Sequence, residues 1–370
     1  NDAYFVQGYL HAKFRLWQME FQIYAASGRL CELVGKKALS LDRDKRRLGM
    51  VFAAENSLKE IEKDPETAAA CDNYTAGVNA YIESLNESTL PLEYKLLGYR
   101  PEKWTNLKTA TFVKYMAFEL AGSENDFEYS NAKSVFSSGD FDKLYPIIMD
   151  SVDPIVPKGT VFPKPGIDLK IPASADSLYY DTKDSTTIEE QRPDPNNGSN
   201  NWAVNGTKTK SGYPILCNDP HLRLNLPSLW YEMQITTPTY NAYGVSFPGT
   251  PFIIIGFNDS CAFGVTSAER DVRDYYEIKF KDDSRQEYWF DSQWVKTNFR
   301  IEKIKLKGEP DYLDTVAYTN IGPVMYDKSY SGGRNTNNKY YAVRWKAHDP
   351  SNELKMFTLL DKAKNYGDYL

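Results

Sequence analysis

The sequence is poor in the residues that build metal centres and disulfide frameworks. Its 370 residues include three histidines and four cysteines. The cysteines lie far apart and form no Cys-x-x-Cys pair, which excludes zinc ribbons and thioredoxin-type sites but leaves a disulfide open. With so few histidines, we exclude a His-rich metal centre.

Long apolar runs and basic blocks are also absent from the sequence. No segment approaches the roughly 18 consecutive apolar residues of a membrane-spanning helix. The chain opens directly on Asn1 without a basic and apolar leader, as a processed or trimmed chain would. Acidic residues outnumber basic ones 50 to 44, which disfavours a surface that tracks phosphates. We therefore expect neither a nucleic acid nor a membrane as a partner.

The composition is otherwise that of a large globular protein. Hydrophobic residues make up 41%, charged residues 25% and aromatic residues 14% of the chain, enough for a large core and a ring-lined pocket. Residues 151–198 hold seven of the 20 prolines and end in polar runs, which is typical of an exposed linker. We predict three regions: 1–150, the linker 151–198, and 199–370.

The first region has the pattern of helices. Apolar residues recur every three to four positions over 5–23, and Gly28 is a plausible stop. Asp64 and Pro65 predict an N-cap and a first-turn proline for a helix that runs to about Leu85. Thr105 is expected to cap another helix that ends near Leu120.

The last region has the pattern of a sheet. Short runs bounded by Gly, Pro, Asn or Asp predict strands over 200–205, 214–217, 230–235, 252–256, 262–266, 275–280, 300–306 and 340–345. A helical pattern returns over 351–370. Helices that flank a block of strands favour a mixed, layered α+β fold over a strictly alternating one.

Ser199 lies where the linker meets the first strand. A serine hydroxyl is a weak nucleophile and needs a nearby base. If the bond after Gly198 were cut, the α-amino group of Ser199, with an ordinary pKa of about 7.7–8.0, could serve as that base. From the residues alone, a Gly-Ser pair is more often only a turn that enters a strand.

Several motifs favour a catalytic role for Ser199 over that interpretation. The run Ser199-Asn200-Asn201-Trp202-Ala203-Val204, followed by Asn218-Asp219-Pro220-His221-Leu222, resembles the start of the catalytic β subunit in the penicillin acylase (penicillin amidase) family of N-terminal-nucleophile hydrolases. Matching segments occur elsewhere in the family's order: Gly8 to Ala12, Arg15 to Glu20, Gly28 to Leu30, Leu97 to Pro101, Arg344-Trp345 and Asp349-Pro350.

The resemblance implies an Ntn-hydrolase αββα four-layer core with a mainly helical α-subunit portion. The precursor would be cut between Gly198 and Ser199, and the spacer would be removed or trimmed. The product would be an α/β heterodimer. Ser199 would attack an amide carbonyl of a small-molecule substrate and form an acyl-enzyme. No organic cofactor is expected, and family members are commonly periplasmic or secreted.

The resemblance also assigns catalytic partners to Ser199. His221 lies where the family carries glutamine or histidine, and histidine there is similar to the cephalosporin and acyl-homoserine-lactone acylases. Its expected role is to orient the Ser199 amine or a bridging water. The segment 263–267 resembles the family's oxyanion-hole segment, and Ser267 is expected to supply a donor through its backbone N–H. The family's second donor should fall beyond Leu370, so we expect a chain that is truncated at both ends relative to the family.

A calcium site and an acyl pocket complete the predicted sites. Carboxylate and carbonyl oxygens suit Ca²⁺. The family's structural calcium loop corresponds to Asp271, Arg273 (through its carbonyl) and Asp274, and Asp126 lies where the α subunit supplies a further carboxylate. An isolated acidic run of this kind is more often a solvated turn. The resemblance places Met116, Leu120, Leu222 and Ile255 around the acyl group, although an ordinary core position would explain each of them equally well.

We therefore expect an amidohydrolase that cleaves the acyl side chain from a β-lactam antibiotic or a related N-acyl compound. Aliphatic residues at the predicted pocket positions suit a straight acyl chain, so N-acyl-homoserine-lactone cleavage is the alternative within the same class. The sequence also leaves open a family member that has lost catalysis and acts as a binding domain, and an uncleaved hydrolase with a Ser–His pair.

Overall fold

A computed structural model describes residues 1–146, 159, 161, 198–222, 224–267, 270–333 and 339–369. By compactness, the chain divides into one unit of Asn1–Glu124 with Ile188–Leu370 and a second unit of Asn125–Thr187. The described helices of the first unit are α1 Asp2–Ala26, α2 Cys31–Val34, α3 Leu39–Leu48, α4 Met50–Lys63, α5 Pro65–Ser84, α6 Leu92–Leu97, α7 Asn106–Ala121, α10 Leu354–Leu360 and α11 Tyr366–Tyr369. The second unit contributes α8 Asp126–Val135 and α9 Ser138–Leu144.

All the described strands belong to the first unit and pair antiparallel. They are β1 Gly198–Val204, β2 Ile215–His221, β3 Tyr231–Thr236, β4 Asn241–Ser246, β5 Ile255–Asn258, β6 Ala262–Phe263, β7 Arg273–Glu277, β8 Glu287–Phe290, β9 Gln293–Lys296, β10 Asn298–Ile304, β11 Tyr312–Tyr318, β12 Val324–Tyr326 and β13 Tyr341–Trp345. The sheet orders are β1-β2, β3-β4-β5-β6, β12-β13-β7, β8-β9 and β10-β11. This mixture of helices and antiparallel sheets confirms the predicted α+β class.

The predicted helix starts are confirmed by their caps. The Asp64 side chain accepts a hydrogen bond from the Glu66 N–H at 3.2 Å, and Pro65 occupies the first turn of α5. Thr105 caps α7 by accepting from the Lys108 N–H at 3.3 Å. These side chains satisfy backbone donors that have no partner inside the helix.

Glycine allows α1 and α5 to cross in close contact. A Cβ on Gly8 would lie 2.1 Å from the carbonyl oxygen of Tyr74, and a Cβ on Gly77 would lie 1.9 Å from that of Phe5. Any larger residue at either position would push the helices apart. The crossing brings His11 of α1 against Tyr74 of α5 inside the main hydrophobic core.

Strand β5 begins later than the sequence predicts. Phe252 has a φ of +81°, which is not strand geometry. Its backbone is bound instead by the side chain of Gln7, which accepts from its N–H and donates to its carbonyl, both at 3.1 Å. The predicted strand over 252–256 is therefore wrong at its start, because a distant glutamine takes the place of a neighbouring strand.

The predicted C-terminal helix over 351–370 is broken into α10 and α11. The side-chain amide of Asn258 donates to the carbonyls of Leu360, Asp361 and Ala363 at 3.2, 3.2 and 2.9 Å. The Asn258 side chain, at the end of β5, therefore satisfies carbonyl acceptors at and just after the end of α10.

Buried ion pairs connect the helical region to the sheet region. The Arg47 guanidinium on α3 is fully buried and bonds Asp314 of β11 at 2.6 Å and Asp327 at 3.1 Å. Arg43, one turn earlier, also pairs with Asp314 at 3.0 Å. The two carboxylates are themselves almost completely buried, so these contacts are shielded from water and salt.

The predicted boundaries at 150 and 198 stay a prediction, and most of the linker lies outside the described residues. The four cysteines are free thiols, of which Cys31 and Cys71 are buried. Among the described residues, no helix combines the length and the apolar character that crossing a bilayer requires.

Candidate active site

Strands β1 and β2 place Ser199 at one end of a hairpin. Gly198 pairs with His221 and Ser199 pairs with Pro220, whereas Val204 pairs with Ile215 near the connecting loop. The linker therefore enters the fold at the open end of the hairpin, opposite the turn. The ladder fixes the backbone on the C-terminal side of the predicted cleavage point.

The Ser199 hydroxyl is turned toward the preceding peptide bond. Its Oγ donates to the carbonyl oxygen of Gly198 at 2.6 Å. The nucleophile predicted for peptide cleavage is thus in contact with the carbonyl group that it would attack.

Two side-chain hydrogen bonds connect the Ser199 hairpin to the segment 263–267. The Thr266 hydroxyl donates to the Ser199 carbonyl at 2.9 Å, and the Asn218 side-chain amide donates to the Val265 carbonyl at 2.8 Å. A Cβ on Gly264 would lie 2.8 Å from Cγ of Asn218, so only glycine fits there without displacement. The predicted oxyanion segment is therefore held against the predicted nucleophile.

His221 lies beside Gly198 at the open end of the hairpin. Its Nε2 bonds the Asp219 carboxylate at 2.8 Å, and both side chains are about half exposed. A Cβ on Gly198 would lie 3.8 Å from Nδ1 of His221. Among the described contacts none is a hydrogen bond from His221 to Ser199. Its proposed role toward the Ser199 amine stays a prediction.

Ser199 borders a cavity of about 320 Å³. Its walls come from α7, the β1–β2 hairpin, the 247–254 segment, the 265–267 segment and α10. The lining is almost wholly apolar, and Glu353 is the one charged residue among the described residues that form it. A concave, apolar site with a few polar groups is the usual form of a small-molecule pocket.

The structure brings six of the eight predicted catalytic, processing and acyl-pocket residues to this cavity. Its lining includes Gly198, Ser199 and Ser267 and three of the predicted acyl-pocket residues, Met116, Leu120 and Leu222. Ile255 is not in the lining, whereas Ile254 is. Successive side chains of extended backbone point to opposite sides, so a shift of one residue in the register puts Ile254 in the lining in place of Ile255. Their roles in substrate binding stay predictions.

An aromatic wall of the cavity was missed from the sequence. Trp230 stacks on Phe247 with ring centroids 4.6 Å apart, and Phe112 meets the edge of Phe247 at 6.0 Å. All three line the cavity. The Pro248-Gly249-Thr250-Pro251 run is a signal of an ordered loop, but nothing local indicates that it faces Ser199.

Behind this wall lies a buried chain of hydrogen bonds through His11. The Gly249 N–H donates to the Tyr74 hydroxyl at 2.9 Å, and that hydroxyl bonds Nδ1 of His11 at 2.8 Å. Nε2 of His11 bonds the Ser246 hydroxyl at 2.9 Å, which donates to the Tyr231 carbonyl at 2.9 Å.

These partners assign each proton in the chain. Complete burial lowers the pKa of His11 to about 3, so its ring is neutral. Ser246 donates to Tyr231 and so accepts from Nε2–H, which leaves Nδ1 to accept from the Tyr74 hydroxyl. This series of hydrogen bonds holds the residues on both sides of Phe247, which lies between Ser246 and the loop that contains Gly249.

The residues predicted to bind calcium belong to different parts of the chain. Asp271 and Asp274 are exposed at the start of β7, and carboxylate oxygens of the two lie within 4.8 Å of each other. Asp126 is the first residue of α8, in the second unit. The Arg273 side chain is turned into the protein, where it pairs with Glu124 at 3.2 Å. Two close carboxylates suit a hard cation, and calcium binding stays a prediction.

Comparison with known proteins identifies the family. A family model described as penicillin amidase matches residues 1–370. The acyl-homoserine lactone acylase QuiP of Pseudomonas aeruginosa is 32% identical over 332 residues, which are 88% of this chain and 38% of that protein. The penicillin acylase 2 proenzyme of Pseudomonas sp. (strain SE83) is 28% identical over 88% of this chain and 41% of its own length.

The chain thus spans about two fifths of the length of these relatives. A solved structure of the thermostable penicillin G acylase from Alcaligenes faecalis is 23% identical, with a TM-score of 0.39, over 46% of this chain and 30% of its own. The family match covers the whole chain and confirms the resemblance. The chain belongs to the penicillin amidase family.

Proposed function

We propose that the chain forms the nucleophile-bearing part of an amidohydrolase that removes the acyl group from a small N-acyl amide. The observation that carries this proposal is the position of Ser199 on the wall of an apolar cavity, in hydrogen-bond contact with the predicted oxyanion segment. An acyl chain in the cavity would bring its amide carbonyl to the Ser199 hydroxyl.

Maturation would begin with the same hydroxyl. Ser199 Oγ attacks the Gly198 carbonyl carbon, the C–N bond breaks, and the nitrogen takes the proton, which leaves an ester. Water then hydrolyses the ester into a Gly198 carboxylate and a Ser199 that carries a free amine. The contact of 2.6 Å between Oγ and the Gly198 carbonyl oxygen supports this step.

The free amine would then be the base for amide hydrolysis. It accepts the hydroxyl proton as Oγ bonds to the substrate carbonyl carbon, and it returns the proton to the departing amine. Water resolves the resulting acyl-enzyme. The cavity lining supports this assignment, because Glu353, the one charged side chain among its described residues, is bound to Lys114.

For the substrate, we propose a straight acyl chain, as in an N-acyl-homoserine lactone. Aliphatic side chains of Met116, Leu120, Leu222 and Ile254 form much of the wall. The name of the relative from P. aeruginosa, an acyl-homoserine lactone acylase, agrees with this proposal. Cleavage of a β-lactam side chain is the competing proposal, supported by the name of the penicillin acylase relative.

After cleavage, the two chains would remain together as a heterodimer. The buried pairs of Arg47 with Asp314 and Asp327 join residues on opposite sides of the proposed cut. We further propose a periplasmic or secreted location, from the family resemblance.

Mass spectrometry of the complete protein tests the proposal. We expect a break between Gly198 and Ser199 in the wild type and an intact chain in Ser199→Ala. Ser211→Ala, in the exposed loop between β1 and β2, is the matched control and should be cut normally. A Ser199→Ala protein that is still cut, or an uncut wild type that binds acyl amides without turnover, would overturn it.

A panel of chromogenic amides separates the two substrates. Activity that rises with the length of a straight acyl chain supports the lactone proposal. A preference for phenylacetyl over every straight chain would support β-lactam side-chain cleavage instead.

A further inference from the structure

The apolar cavity beside Ser199 has one charged residue among the described residues of its lining, Glu353. Its side chain is 34% exposed, and it precedes α10, whose residues Leu354, Met356 and Phe357 also line the cavity. Carboxylates are rarely placed in apolar surroundings without a structural or functional reason.

A buried lysine pairs with this carboxylate. Lys114 on α7 is completely buried and its ammonium group contacts Oε1 of Glu353. It lies between the cavity-lining residues Val113 and Met116 on the same helix. The ammonium ion therefore lies inside the protein, next to a residue that lines the cavity.

The other contacts of Glu353 leave part of its hydrogen-bonding capacity open. Ser351 donates to Oε1 at 2.8 Å, and Ser57 donates to Oε2 at 3.2 Å. An ionised carboxylate has about four acceptor positions. Within the described part of the chain, three are used, and one position on Oε2 remains for a further donor.

We propose that Glu353 is a specificity-determining residue that gives the acyl cavity a subsite for a hydrogen-bond donor. An acyl chain that carries a hydroxyl or ammonium group would bind its donor to Oε2. A chain that ends in a carboxylate would be disfavoured by like charge, and a plain alkyl chain would bind without this contact. This inference rests on the proposed amidohydrolase function.

The test compares four chromogenic anilides of similar chain length that end in methyl, hydroxyl, ammonium or carboxylate. In the complete wild-type protein, we expect kcat/KM to favour the hydroxyl and ammonium substrates over the methyl one. A hydrogen bond to a charged group predicts a contribution of about 10- to 100-fold. The carboxylate substrate should be the poorest.

Two double variants isolate the contribution of Glu353. Glu353→Gln alone would leave Lys114 buried and unpaired, which destabilises a fold strongly, so we combine it with Lys114→Met. In this double variant, the ratio of hydroxyl to methyl activity should fall by about tenfold. The surface pair of Lys355 and Asp64 is the matched control, and Lys355→Met with Asp64→Asn should keep the wild-type ratio.

The ratio of two substrates on one protein cancels any general loss of folding or activity. Turnover of the methyl substrate with equal ratios in the wild type and the Lys114/Glu353 double variant would overturn this inference alone. A wild type that hydrolyses none of the four anilides would overturn the proposed function, and the inference with it.

Discussion

The carbonyl oxygen of Ser199 accepts a hydrogen bond from the hydroxyl of Thr266 at 2.9 Å, across 67 residues of sequence. This bond joins the proposed nucleophile to the segment that is proposed to stabilise the oxyanion. An error of about 1 Å between such groups can reduce a rate by about 100-fold. We therefore expect this bond to affect the rate of the proposed reaction.

Thr266→Val should reduce kcat more than it raises KM. The substitution keeps the shape of the side chain but removes the donor, and a hydrogen bond of this kind contributes about 0.5–1.5 kcal/mol. We expect kcat to fall about 3- to 10-fold in steady-state assays of an acyl anilide. Thr207→Val, at an exposed position after β1, is the control, and an equal loss there would contradict the argument.

His11→Gln should change how stability depends on acidity. The folded pKa of His11 is lowered to about 3 from an ordinary value of 6.5. The unfolded chain therefore binds the proton first, and stability present above pH 6.5 is lost as the pH falls toward 3. The variant should lose less stability than the wild type over this window.

Urea unfolding at several pH values measures this difference. Glutamine leaves part of the Tyr74–Ser246 chain unsatisfied, so we also expect a pH-independent loss of about 1–3 kcal/mol. Parallel pH profiles for the two proteins would refute the assigned protonation of His11.

Asp361→Asn should stabilise the protein in mild alkali. Burial raises the pKa of Asp361 to about 7 from 3.8, and its Oδ1 has no hydrogen-bond partner in the described structure. The folded state holds the proton more tightly, so its stability falls as the pH rises from about 4 to 7. Asparagine removes that loss and still accepts from the Ile253 N–H, which Asp361 Oδ2 binds at 3.1 Å.

We expect Asp361→Asn to exceed the wild type by roughly 2–4 kcal/mol at about pH 8, with the gain disappearing below about pH 4. Unfolding in urea at the two pH values checks this. Asp291→Asn, at an exposed turn between β8 and β9, should be neutral at both. A gain from Asp361→Asn that is equal at both pH values would exclude titration as its cause.

Arg47→Met should destabilise the fold by about 3–5 kcal/mol, because it leaves charge in the buried cluster of Asp314 and Asp327 without its central partner. Lys63→Met, at an exposed ion pair with Glu60, should change stability by under about 1 kcal/mol.

Native mass spectrometry of the cleaved protein gives a second measurement of the Arg47 network. Arg47→Met should release free α and β chains, and an intact heterodimer would show that the network is dispensable for assembly.

Local chemistry in the sequence predicted much of the secondary structure. Asp64, Pro65 and Thr105 define the starts of α5 and α7, because a cap acts on backbone groups within a few residues. The sequence did not predict α3 and α4, or the strand β4, where charged residues and glycine obscure the periodicity. Phe252 and Asn258 show a second limit, because their partners, Gln7 and the end of α10, are 245 and 102 residues away in the sequence.

The sequence by itself determined the nature of the protein: its motifs around Ser199 identified the family and the residues to which chemistry is assigned. Only the tertiary structure decided which of those residues meet. It placed Met116, Leu120 and Leu222 in one cavity with Ser199, and it put Ile254 rather than Ile255 in the cavity lining. It also turned the His221 side chain toward Asp219. It also brought Lys114 to Glu353 and His11 to Ser246, pairs separated by 239 and 235 residues. The physical reason is that caps and periodicity act over one or two turns, whereas a cavity depends on which distant surfaces pack together.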